Sequence, residues 1–135
     1  TFVGEPDAVV EAAFQAIKIA GELIDMRHHH GEHPRMGATD VCPLVPISGI
    51  TMAEAAEYAR QLGERVGREL NLPVYLYEAA QPNPERKNLA VIRAGEYEGM
   101  ARKIRQPEWK PDFGPAAFDA QRGATVIGAR DFLVA

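Results

Sequence analysis

Cysteine occurs once in these 135 residues, at position 42. That excludes an internal disulfide and a thiolate metal cluster, and it favours a reducing, cytoplasmic setting over secretion. No apolar run approaches the roughly 20 residues that span a bilayer, so a membrane partner is not expected. Basic residues are in deficit: 15 Lys and Arg stand against 19 Asp and Glu, for a net charge of −4. No basic stripe with interleaved aromatics is present, which argues against a nucleic-acid partner. Internal repeats and low-complexity segments are also missing. The remaining composition, 46% hydrophobic and 25% charged, is that of an ordinary globular domain. The length allows one compact domain and leaves little room for two.

Hydrophobic periodicity predicts alternating strands and helices. Thr1–Val3 reads as the end of a strand. Pro6 and Asp7 suit the first turn of a helix, and Val9, Val10, Ala13, Phe14, Ile17, Ala20, Leu23 and Ile24 then recur at helical spacing. Asp40–Ile47 is apolar but carries Pro43 and Pro46, which predicts an edge or bulged strand. Thr51 and Glu54 form a capping box for a second helix, whose stripe is Ala55, Ala56, Ala59, Leu62, Val66 and Leu70. Val74–Tyr77 reads as a strand, Ala79–Asn88 as an exposed loop, and Gly95–Ile104 as a short helix. Arg105–Pro115 resists regular assignment. Gly123–Arg130 reads as a strand whose glycines admit a close neighbour, and Asp131–Ala135 as a further strand. Both ends look cut, so a piece of a longer protein is expected. The fold class is α/β, an α+β sandwich with helices packed on a small sheet.

The ten residues His28–Gly37 hold all four histidines, together with Glu32, Arg35, Pro34, Gly31 and Gly37. The glycines and the proline break regular structure and imply a loop. A purification tag is a uniform run at a terminus, whereas this cluster is interior and mixed. Histidine is the side chain whose unperturbed pKa lies nearest neutrality, so proton transfer is the first chemistry to consider. Metal binding is the rival, but His-Gly-Glu-His is not the helical pattern that sets two ligands on one face. Arg35 has the geometry to clamp a carboxylate.

Ile24-Asp25-Met26, His29 through Ala38, and Asp40-Val41-Cys42-Pro43 resemble the formiminotransferase domain family. The resemblance continues in order through Pro73–Tyr77, Arg93–Glu98, Trp109–Pro115 and Gly123–Thr125, and so covers nearly the whole chain. It implies residues 1–88 as an N-terminal subdomain truncated at its start, with 89–135 as its remainder and the beginning of a C-terminal subdomain. It implies transfer of a formimino group from N-formimino-L-glutamate to tetrahydrofolate, in histidine degradation. It also implies His33 as the catalytic histidine, and a folate-contacting segment of Gly114, Pro115, Ala116, Ala117, Phe118, Asp119, Ala120, Gln121, Arg122 and Gly123. A homo-oligomer is expected, and no metal.

The residues suit that chemistry. The folate amine must lose a proton and the departing glutamate nitrogen must gain one, which a single imidazole can do in sequence. Glu32 or Asp40 would orient His33 or stabilise its cation, and Arg35 would clamp a substrate carboxylate. Two alternatives remain: a folate-binding module without turnover, and a metal-dependent hydrolase built on the histidine loop. Cys42 reads as a buried structural thiol. Tyr75 and Tyr77 share a strand face, with packing the default over lining a cleft. Trp109 and Phe113 either flank a flat ring or pack, and Arg122 reads as solvated.

Overall fold

The computed structural model describes residues 1–133. Three strands, β1 (Val41–Leu44), β2 (Val74–Glu78) and β3 (Thr125–Ala129), form a parallel sheet in the order β1-β3-β2. The helices are α1 (Pro6–Leu23), α2 (Met52–Glu69), α3 (Leu89–Arg93) and α4 (Glu96–Lys103). This is the expected α/β class.

Strand alternation divides the core. Val74, Leu76 and Ile127 face α1 and α2, where they bury Phe14, Ile17, Leu62 and Val66. Tyr75, Tyr77 and Val126 face the other way, against Met36, Ile92, Met100 and Ile104. Each large apolar side chain so buried contributes roughly 1.5–3 kcal/mol. The crossovers through α2 and through α3–α4 run in opposite directions on opposite faces, which gives them the same hand. Tyr75 and Tyr77 therefore pack. The close neighbour of Gly128 is the Tyr77 ring, which a Cβ there would overlap.

Local signals account for most boundaries. Pro6 opens α1, and the Thr51–Glu54 capping box opens α2. Pro43 lies on an edge strand, where its missing N–H is tolerated. The other edge, β2, is closed by the chain itself: Val74 N donates to Phe113 O and Asp112 N to Val74 O, each at 2.9 Å. The Asp112 carboxylate then accepts from Leu76 N at 2.8 Å, standing in for a partner strand.

Three expectations fail. Thr1–Val3 forms no strand, because no neighbouring strand offers it a ladder; its residues are exposed. Asp131–Leu133 is irregular and exposed, while Val134 and Ala135 lie outside the described residues. Arg122 is not solvated: it donates to Asp119 Oδ2 and Leu70 O, each at 2.7 Å, closing the C-terminal end of α2. Helix α3 is not predicted by periodicity, since five residues are too short to show a period. Its start was nevertheless marked by Asn88, whose side chain accepts from Ala90 N at 2.8 Å.

Candidate active site

The histidine loop enters through a 3-10 turn, Met26–His28, pinned by Asp25, whose side chain accepts from the Arg27 backbone N–H and guanidinium. That guanidinium holds the Asp25 carboxyl down at about 2. From His29 to Asp40 the chain has no helix or strand. Its shape comes instead from tertiary hydrogen bonds, some to α3 and α4 and others to the segment that leads into β3.

Three consecutive carbonyls of that segment accept from the loop or its support: Ala120 O from the Tyr97 hydroxyl, Gln121 O from Met26 N at 2.8 Å, and Arg122 O from Ala38 N at 2.9 Å. Ala124 N returns a bond to Met36 O at 3.0 Å, and Gly37 bridges Gly123 antiparallel. Met36 is fully buried in the second core cluster and anchors the loop from below. The two stretches singled out in the sequence are thus brought together, through Phe118–Gly123. Gly114 lies elsewhere, packed against Leu72 and Gly67 at the end of α2. The junction lies at the amino ends of β1 and β3, whereas open parallel sheets usually carry ligands beyond their carboxyl ends.

His33 is exposed, and its Nδ1 lies 3.1 Å from the Pro34 carbonyl oxygen. A carbonyl only accepts, so a hydrogen bond here requires the proton on Nδ1, the tautomer whose Nε2 lone pair is free. Glu32 is exposed beside it. Arg35 is mostly buried, and its Nη2 donates to His29 O and Glu98 Oε1, both at 2.9 Å. The guanidinium holds the Glu98 carboxyl below its usual range, and also lies 5.6 Å from the centre of the Tyr97 ring. Arg35 O accepts from Tyr97 N at 2.8 Å, so this arginine ties the loop to α4 at both backbone and side chain.

Asp40 does not turn toward His33. Its Oδ1 accepts from Met36 N at 2.8 Å and its Oδ2 pairs with Arg93. Among the described residues, no three His, Cys, Asp or Glu side chains are grouped to hold a metal ion. Trp109 and Phe113 pack against the two core clusters. The Cys42 thiol is pushed up to about 11 by burial, which makes it a poor nucleophile. Lys103, pushed down to about 8 mainly by burial, donates to the carbonyls of Val91, Ile92 and Ala94 and closes the end of α3.

Tyr97, Glu98 and Arg93 carry the site's support, and composition alone assigned none of them a role. The signal in the sequence was Gly95, a residue suited to the turn that opens α4. Gly95 and Glu96 take successive positive φ values of 89° and 51°, and the latter costs a non-glycine residue roughly 1 kcal/mol. Between Pro34 and this corner lies a cleft of about 440 Å³, walled by Leu89, Ala90, Arg93, Gly95 and Glu96.

Fold and loop together define a small α/β domain with an exposed imidazole braced on the segment that leads into its central strand. Residues 1–130 match the family described as the formiminotransferase domain, N-terminal subdomain, and the chain belongs to that family. It is 56% identical over 135 residues to formimidoyltransferase-cyclodeaminase of Rattus norvegicus, with all of this chain and 25% of that protein covered. It is 52% identical over 135 residues to glutamate formimidoyltransferase of Streptococcus pyogenes serotype M1, again over its whole length and 45% of the relative. The corresponding protein of Thermoplasma acidophilum is 50% identical over 137 residues, with all of this chain and 45% of that protein covered. The chain thus spans between a quarter and a half of the length of these relatives. Among the described residues, no helix is long and apolar enough to cross a membrane.

Proposed function

We propose that this chain supplies the acid/base loop and part of the folate surface of a cytoplasmic glutamate formimidoyltransferase. The protein would move the formimino group of N-formimino-L-glutamate to tetrahydrofolate in histidine degradation. The supporting observation is the junction of the histidine loop with Phe118–Gly123, tied by Ala38 N to Arg122 O at 2.9 Å and by Ala124 N to Met36 O at 3.0 Å. The relatives' names point the same way. The half-exposed rings of Tyr97 and Phe118, 5.4 Å apart at this junction, suit a flat heterocycle. The segment Gly114, Pro115, Ala116, Ala117, Phe118, Asp119, Ala120, Gln121, Arg122 and Gly123 is the proposed folate contact.

Tetrahydrofolate, when bound, supplies the attacking secondary amine. His33 accepts at Nε2 the proton that this amine sheds, and returns it to the departing glutamate nitrogen. One carbon–nitrogen bond forms, one breaks, and no oxidant or reductant is consumed. A positioned acid/base of this kind contributes about 10²–10⁴-fold. Glu32, exposed and next to His33 in the chain, would pair with the transient imidazolium. Arg35 is a positioning residue in this scheme, since Glu98 and the His29 carbonyl already engage its guanidinium.

The test uses the intact protein that carries this chain, in metal-free buffer, with formiminoglutamate and tetrahydrofolate. Formation of 5-formiminotetrahydrofolate is expected, and His33→Ala is expected to abolish it while folate binding persists. Folate binding without turnover in the wild type would instead indicate a binding module. Absence of both turnover and folate binding would overturn the proposal.

A further inference from the structure

The cleft beside Pro34 has walls of three kinds. Leu89 and Ala90 are apolar, Arg93 is cationic, and Glu96 is anionic. Arg93 is held by Asp40, which engages Nη2, and its side chain keeps 13% of its surface exposed where it lines the cleft. A guanidinium fixed by one carboxylate at Nη2 still has Nη1 to offer a second. Glu96 keeps a half-exposed carboxylate, 3.9 Å from Arg35 Nη1, on a backbone held in the left-handed region. Non-glycine residues held this way concentrate at ligand sites, where the surrounding structure fixes a side chain's aim.

We infer that this cleft receives the formimino donor, with Arg93 on a carboxylate of its glutamate moiety and Glu96 on its formamidinium group. The assignment rests on the function proposed above. An amidine is a strong base and is carried as its cation near neutral pH, so the donor presents both signs of charge on a short aliphatic chain. The cleft presents the opposite signs beside an apolar wall. Pro34, adjacent in sequence to His33, forms its other side. Glu96 would keep the amidine charged, and therefore electrophilic at carbon, until attack. Arg93 and Asp40 would couple donor binding to the shape of the loop, because the same Asp40 carboxylate accepts from Met36 N.

The test uses the intact protein and the variants Arg93→Lys and Glu96→Gln. The readouts are steady-state KM for each substrate and equilibrium binding of formiminoglutamate and of plain glutamate. Arg93→Lys keeps the charge beside Asp40 but loses the fork, and is expected to weaken both amino-acid ligands by about tenfold, a loss of one charged contact. Glu96→Gln is expected to weaken formiminoglutamate similarly and leave glutamate within about twofold. KM for tetrahydrofolate should stay put in both. An unchanged donor KM in the two variants would overturn the inference, as would a Glu96→Gln effect equal for both ligands. If Arg93→Lys fails to fold, Glu96→Gln, at an exposed side chain, decides alone. Absence of formimino transfer in the wild type would instead sink the underlying function, and donor binding would then report on the cleft by itself.

Discussion

Gly37 and Gly123 meet as an antiparallel bridge, with the chain at each too close to the other for a side chain. A Cβ on Gly37 would overlap the carbonyl oxygens of Ala124 and Arg122, and one on Gly123 would overlap that of Met36. Gly123 also takes φ of 70°. Gly37→Ala must therefore push the histidine loop off the segment that precedes β3. A loss of at least about 2 kcal/mol is expected in urea denaturation, since neither backbone can yield without breaking the bonds beside it. Turnover should fall further than stability does, because the displaced loop carries His33. An unchanged midpoint would show that the junction is looser than its geometry implies.

Tyr97, on α4, touches both halves of the site. Its N–H donates to Arg35 O, its hydroxyl to Ala120 O, and its ring packs against Phe118. Tyr97→Phe removes only the hydroxyl and is expected to cost about 1 kcal/mol of stability. Its larger effect should be on kcat, with the loop retained but less firmly held against the 118–123 segment. Thermal unfolding and steady-state kinetics on the same variant separate the two. A kcat equal to wild type would mean that Arg35 and Met36 suffice to place the loop.

Much of this was legible in the chain. Capping residues and apolar stripes are local, so α1 and α2 appear in the sequence nearly as they stand. Pro43 announced an edge strand for a reason that needs no partner to be known. The site was half legible: the density of histidines marked the loop, while its fixed shape comes from carbonyls some 85 residues away, such as Arg122 O for Ala38 N. No pattern in a single sequence reports such pairs. Arg122 looks solvated in the sequence for the same reason, since its acceptor Leu70 O comes from 52 residues away, and Asp119, three residues before it, is the one partner that is local. Thr1–Val3 shows the reverse error: strand-prone residues do not make a strand when nothing lies alongside.

Cys42 gives a prediction in pH. Burial raises its thiol from 9.0 to about 11. A folded pKa above the unfolded one means that the contribution is fully present below pH 9 and is lost as pH rises through 11. The full shift corresponds to about 2–3 kcal/mol. Wild type should therefore lose stability across pH 9–11 more steeply than Cys42→Ala, with the difference between them flat below pH 9. Alkylation at pH 8 should be slow in the native protein and fast in urea. Rapid native alkylation would show that the edge strand opens readily.

Asp112 gathers three donors on one oxygen: Leu76 N at 2.8 Å, and Gln81 Nε2 and Arg86 Nη2 at 3.0 Å each. It caps the exposed edge of β2 and neutralises Arg86, whose side chain is only 14% exposed and lies over the Tyr75 and Trp109 rings. Asp112→Ala leaves the Leu76 amide without its partner and the mostly buried Arg86 without its counter-charge, held only by the Lys110 carbonyl at 3.2 Å, and is expected to cost about 3 kcal/mol. Asp112→Asn keeps an acceptor for Leu76 N but loses the charge, and should cost about half as much, roughly 1–2 kcal/mol. The edge-capping role has its own readout. Hydrogen exchange at the Leu76 amide should accelerate in Asp112→Ala beyond the change in global stability, and far less in Asp112→Asn. Equal acceleration in the two variants would show that the carboxylate acts through Arg86 alone, and that β2 is closed by the Phe113 backbone without it.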